Sequence, residues 1–305
     1  MFKKISIIAL SIFIVNSLFL ASLVRAVDSK IGLAISPPLV EKSINPGESI
    51  SGVIKVTNVT DQKLNVTTSK KYFTASGEGG EPSIQDNEDT TYTLSKWIDI
   101  EKEFALDPEE TKNINYTIHV PDNAEAGGHY SVVLFTPSAT ENGNKVSGSA
   151  VSAVSQIGSL FLVTVTGNIN YNGQIVDFSS SKKIYVNSTN LVDLVTRFQN
   201  LSTIHVKPQG NITIKNAFGK TVSSLVFNEK SSNVLPDSIR KFNNDWTKKY
   251  GFGWYKANIN LTYGAGQTAA ANLIFWIIPW KETTGAIVAI ILVIWLFSRL
   301  QWKRK

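Results

Sequence analysis

The chain has 305 residues, no cysteine, and 30 basic against 24 acidic side chains, for a formal net charge of +6. The missing thiols exclude disulfide scaffolds, thiol catalysis, Cys-ligated zinc and a lipidated cysteine anchor. The excess positive charge sits at the two ends. Residues 27–298 hold 23 basic and 24 acidic side chains, so the pI of 9.2 is no sign of nucleic-acid binding.

Lys3 and Lys4 precede an apolar run from Ile5 to Val24 that exits at Val24-Arg25-Ala26. A basic start, an apolar stretch and small residues at the exit predict a cleavable secretory signal over residues 1–26. An uncleaved N-terminal anchor is the alternative, because the run is long enough to span.

Short alternating segments follow: Gly52 to Asn58, Lys63 to Thr68, Lys112 to Val120 and Ser131 to Phe135. Alternation marks half-buried strands, and Pro46-Gly47, Asp107-Pro108 and Pro121-Asp122-Asn123 supply turns between them. Gln156 to Thr166 is nearly all apolar, as suits a strand buried on both faces. Ser76 to Lys96 and Thr136 to Ser149 read as polar loops without strands.

From about Gly167 the pattern restarts. Tyr171-Asn172-Gly173-Gln174 is a hairpin signal, and strands are expected at Lys183 to Val186, Leu191 to Asn200, Gly210 to Asn216 and Thr221 to Phe227. Tyr255 to Tyr263 alternates, and Thr268 to Trp280 reads as the last strand. The predicted class is therefore all-β, with tandem immunoglobulin-like or fibronectin-type sandwiches at residues 32–166 and 169–280. About a hundred residues each is enough to fold without disulfides.

No charge interrupts Thr283 to Ser298, and Arg299, Lys303, Arg304 and Lys305 follow. This predicts a transmembrane helix over residues 283–300 and a cytoplasmic basic tail at 301–305. The expected topology is a single-pass type I protein of the cell membrane with its sandwiches outside. Trp276, Trp280, Trp295 and Trp302 suit the interfacial belts, with Trp276 alternatively a core residue.

Charge divides the exported part. Residues 27–166 carry 10 Lys, no Arg and 18 acids, whereas residues 167–282 carry 13 basic and 6 acidic side chains. One reading is a basic stalk resting on anionic headgroups or wall polymer through Arg240, Lys241, Lys248, Lys249 and Lys256; the other is two solvated surfaces.

Catalytic patterns are missing. His119, His129 and His205 stand apart from one another in sequence, and neither a G-x-S-x-G elbow nor a phosphate-binding loop occurs. No catalytic, cofactor or metal site is expected. Asp86-Asn87-Glu88-Asp89 groups oxygen ligands but lacks a calcium loop's glycine and distant glutamate, so it reads as a solvated loop. Seven Asn-x-Ser/Thr sequons, at Asn58, Asn65, Asn115, Asn187, Asn200, Asn211 and Asn260, would be glycan acceptors in a secreted eukaryotic or archaeal chain; in a bacterial one, the preferred reading, they are by-products of Asn/Thr-rich exposed strand faces.

Pro46-Gly47-Glu48, Val56-Thr57-Asn58, Leu106-Asp107-Pro108-Glu109, Ile118-His119-Val120-Pro121 and Ala126-Gly127-Gly128-His129-Tyr130 resemble the WxL-interacting proteins of Gram-positive bacteria. The same segments echo periplasmic pilus chaperone domains. The first resemblance implies a signal, two immunoglobulin-like domains and one C-terminal span, with the first domain on peptidoglycan and the second on a protein partner or host surface. It makes Gly127, Gly128, His129 and Tyr130 candidate ligand contacts. The resulting expectation is a non-enzymatic surface protein that binds cell-wall polymer or another exported protein. A chaperone-like subunit presenting a sheet edge to an exported client is the alternative, and a glycan hydrolase the third reading. No sequence feature addresses the oligomeric state.

Overall fold

A computed structural model describes residues 32–86, 92–139, 156–186, 189–249 and 251–302. The expected signal, the tail beyond Trp302, Asn87 to Asp89 and most of the second polar loop lie outside the described residues.

The first half folds as two packed sheets. One holds β1 (Leu33–Ser36), β3 (Ser49–Asn58), β8 (Thr111–His119) and β6 (Ile98–Ile100), in that order. The other runs β2 (Leu39–Ile44), β10 (Ile157–Val165), β9 (Gly127–Ala139), β4 (Leu64–Ser76) and β5 (Glu81–Gln85), with β7 (Glu103–Leu106) also on β4. Alternation decides which face is which. In β3, Ile54 and Val56 are fully buried while Lys55 is exposed. Inward residues of both sheets meet in one core that includes Ile114, Ile118, Phe135, Phe161 and Val163.

The second half repeats the arrangement. A three-stranded sheet of β11 (Gly173–Ser180), β13 (Thr189–Asn200) and β16 (Ser238–Lys249) faces a five-stranded one. The latter runs β12 (Ile184–Tyr185), β18 (Gln267–Ile277), β17 (Gly253–Tyr263), β14 (Gln209–Asn216) and β15 (Thr221–Phe227). In β17, Tyr255, Ala257, Ile259, Leu261 and Tyr263 point inward. In this core Tyr255 stacks on Phe275, and Trp246 meets both rings at a steep angle.

Four local expectations change. Thr136 to Ala139, expected to open a polar loop, still belong to β9 and pair with β4. Residues 81–85 do form a strand: β5 is an edge strand closing a hairpin on β4, and its two solvated faces leave no alternation to read. Asn172-Gly173 does not turn a hairpin but ends the linker into β11, where Asn172 is held by Leu201 and Ser202. The last strand stops at Ile277, and Trp280 already belongs to the helix α1 (Trp280–Trp302). Over Trp280–Arg299 this helix is long and apolar enough to cross a membrane, with a mean hydropathy of 1.6.

The joint between the sandwiches as candidate functional site

β9 and β10 are apolar on both faces. Their inward residues fill the first core, while Tyr130, Val132, Leu134 and Leu162 form a second cluster with Phe73 on the sheet's outer face. The second sandwich packs against this cluster through Leu235. The outer face is thus the floor of a joint between the two halves.

The joint explains Gly127 and Gly128. Gly127 has φ +143°, and a Cβ there would lie 3.1 Å from the Thr203 carbonyl. Gly128 donates its N–H to that carbonyl at 2.9 Å, and its missing side chain leaves room for the Tyr130 phenol. The Tyr130 hydroxyl accepts the His205 backbone N–H at 2.8 Å, and burial pushes the phenol pKa up. His129 points the other way, into the first sandwich, where its ring lies 4.4 Å from that of Trp97 and its Nε2 is 2.9 Å from the Glu125 carbonyl. Burial lowers its pKa. The four expected ligand contacts are therefore placed at or behind a backbone-paired interdomain seam, and His129 and Tyr130 are almost fully buried.

Charges complete the seam. Glu41 pairs with Lys207 and Asn233, and Glu78 takes a two-pronged contact from Arg197. Burial alone would raise the Glu41 pKa, but the bonds from Lys207 and Asn233 and the charge of Lys207 hold it below the usual carboxylate value. Burial pushes His205 down to about 4, although Glu41 nearby favours its charged form. Acids of the first half thus meet bases of the second, which gives the uneven charge division a structural use.

The five expected membrane- or polymer-facing bases separate. Lys241 donates its backbone N–H to the Glu78 carbonyl, and Arg240 donates to the Asn233 carbonyl at 2.6 Å beside Gly80. Both belong to the joint, because β16 starts there, in register with the end of β13. Lys248, Lys249 and Lys256 lie toward the helix end: β16 runs down to them, and Lys256 pairs in register with Ile274, three residues before β18 stops.

Leu235 divides the joint. On one side a cavity of 260 Å³ is lined by Tyr72, Phe73, Tyr92, Tyr130 and Asp237. On the other, a groove of 260 Å³ crosses the sheet over Leu39, Leu160, Leu162 and Phe73, with Lys230 and Arg240 opposite. Leu39 opens this groove from β2, an edge strand paired only with β10 among the described strands. Among the described residues, no three His, Cys, Asp or Glu side chains gather where they could hold a metal ion. Glu41, Glu78, His205 and Leu235 had no signal of their own in the sequence. The available clue was the run of apolar residues at both parities in β9 and β10.

The fold is an immunoglobulin-like sandwich, twice over. No family model matches the chain, and no curated protein does. Solved structures do match. The class 5 fimbriae chaperone CfaA is 14% identical with a TM-score of 0.37, over 81% of this chain and 99% of that one. The CupB2 chaperone of Pseudomonas aeruginosa is 7% identical with a TM-score of 0.33, over 78% of this chain and 98% of that one. The PapD-like domain 7 of human CEP192 is 9% identical with a TM-score of 0.31, over 45% of this chain and 87% of that one. At such identities the likeness concerns the fold alone. The WxL-interacting family expected from the sequence is not among these structures.

Proposed function

We propose that the chain is a membrane-tethered, non-enzymatic binding subunit that holds a segment of an exported protein in the groove between its sandwiches. The observation behind this reading is the apolar floor of Leu39, Phe73, Leu160 and Leu162, which the second sandwich roofs with Lys230 and Arg240 yet leaves open by 260 Å³. Apolar clefts with a few convergent polar groups are where ligands bind. The free edge of β2 gives an extended client a backbone to pair with beside that floor. In this reading α1 spans the cell membrane in the type I sense, with the sandwiches outside and the basic tail in the cytoplasm. A photo-crosslinking side chain at Leu39 or at Pro82 of β5, which also lines the groove, should capture an exported protein in native membranes, whereas one at the exposed Val226 of β15 should not. Equal capture at all three positions, or none at the groove, would defeat the reading.

A second reading has its own observation. The outward face of the five-stranded sheet carries Thr213, Lys215, Asn258, Asn260 and Asn272 around a shallow depression of 380 Å³. Rows of amides and hydroxyls beside a cation suit a hydroxyl-rich or anionic wall polymer. Sedimentation of the protein with isolated cell-wall sacculi, lost in an Asn258→Ala, Asn272→Ala variant, would favour this face over the groove.

A further inference from the structure

The second sandwich ends on an apolar rim. Ile184, Val186, Phe252, Ile274, Trp276 and Trp280 are exposed there, Phe252 by 69% and Ile274 by 55%. Register places Ile184 beside Trp276, and Trp254 beside Trp276 from the other side. Farther up the same face the residues turn polar within one step of the ladder: Asn272 faces Asn258, then Ala270 faces Asn260 and Thr268 faces Thr262. The apolar part is therefore a band at one end of the sheet, next to α1.

That end is not separated from α1 by a loose linker. The Trp276, Ile278 and Trp280 amides donate to the carbonyls of Lys183, Tyr185 and Val186, so the pairing of β12 with β18 runs on into the first residue of the helix. Gly251 and Phe252 share a mostly apolar wedge of 560 Å³ with Pro279, just before α1, and with Glu282, Thr283, Ala286 and Ile287 in its first turns. A bilayer's hydrocarbon core is about 30 Å thick and the whole about 40–45 Å, leaving a polar layer of some 5–8 Å on each side. Ile274 and Trp276 are two residues apart, or about 7 Å along a strand. The part of the band on β18 thus has about the height of one interfacial layer, the layer that tryptophans favour. Lys248, beside Gly251, and Lys256, beside Ile274, stand at its edge.

We propose that this rim is a lipid-binding surface, seated in the interfacial layer of the bilayer that α1 crosses, with lipid filling the wedge between Phe252 and Ile287. This rests on α1 being a membrane span. The occupant is lipid because the rim is continuous with the span through backbone hydrogen bonds and turns polar one layer away from it. Seating the rim fixes the tilt of the second sandwich, and through the bonded joint it fixes where the groove points.

The absence of cysteine makes single-cysteine labelling of the full chain direct. Nitroxide labels at Phe252→Cys, Ile184→Cys, Val226→Cys, Asn260→Cys and Ile290→Cys are compared in vesicles of phosphatidylglycerol and phosphatidylethanolamine. Each label's access to oxygen, which concentrates in lipid, is set against access to a water-soluble nickel chelate. Labels at 252 and 184 should be several-fold less open to nickel than those at 226 and 260, and closer to the label at 290. Nickel access at 252 and 184 equal to that at 226, with 290 still shielded, overturns the proposal and leaves the span intact. Nickel access at 290 overturns both. Strong spin–spin broadening at 252 means that a second copy covers the rim, which overturns the lipid assignment.

Discussion

The Tyr130 hydroxyl of the first sandwich accepts the backbone N–H of His205 in the second, and the two rings meet edge to face with centroids 5.8 Å apart. Removing that oxygen in Tyr130→Phe keeps the packing against Phe73 but leaves a buried N–H without its partner. An unsatisfied buried donor costs about 1–3 kcal/mol. Urea denaturation should show a loss in that range, with both sandwiches still folded by circular dichroism. An unchanged midpoint would mean that the joint opens before either sandwich unfolds.

Acid should weaken the joint. His205 has a folded pKa of about 4 against an ordinary 6.5, so its neutral form is the one that the fold favours. The unfolded chain then binds the proton more readily, and stability is lost as pH falls from about 6.5 through about 4. Burial shifts His129 in the same direction. Glu41, held below the usual carboxylate value, adds a further loss at the acid end of the range. Melting temperature should fall between pH 7 and 4, and less steeply in His205→Gln. Parallel slopes for the two proteins would remove His205 from the account.

Asn58 and Asn200 do the same work at matching places. Each is fully buried at the end of a strand. Each accepts a backbone N–H two residues on, from Thr60 or Ser202, and donates its amide to a carbonyl four residues on, of Gln62 or Ile204. A second bond from each amide reaches across the sandwich, to Asp107 or to Val234. Alanine at either position should cost about 1–3 kcal/mol, whereas alanine at the exposed Asn65 should stay within about 0.5 kcal/mol. Equal effects at 58 and 65 in thermal denaturation would refute the assignment. The same bonds take these two sequons out of use as glycan acceptors in the folded protein.

Salt should act on the joint as well. In Glu41→Gln, Glu78→Gln two acids of the seam are neutral, leaving Lys207 and Arg197 without their ion-pair partners. Small-angle scattering should show the variant's two sandwiches sampling a wider spread of separations than the parent at low salt. Raising the salt should move the parent toward the variant, because screening weakens exposed pairs. Scattering curves that coincide at all salt concentrations would show that the apolar cluster alone sets the angle.

Much of the fold was legible because strands announce their faces. Gly52 to Asn58 and Tyr255 to Tyr263 alternate as they do since one side of each meets a core and the other meets water. β5 was not legible, having no buried face, and the Asn172-Gly173 pair misled because a turn signal does not say whether a strand precedes it. The site was less legible still. Gly127 and Gly128 were expected as ligand contacts, whereas the structure places them in backbone contact with Thr203, some seventy-five residues along the chain, which no local pattern encodes.

Composition and periodicity by themselves determined the class, the repeat of two β modules and the apolar C-terminal segment. These depend on local burial pattern and run length, quantities that a one-dimensional string carries. Only the tertiary structure decided where the charges act. Arg240 and Lys248 lie eight residues apart on one strand and look alike in the sequence, yet that strand carries one to the joint and the other toward α1. A strand advances about 3.3 Å per residue, so eight residues separate them by some 26 Å. Across that distance the neighbours are set by the packing of two sheets and not by adjacency in the chain.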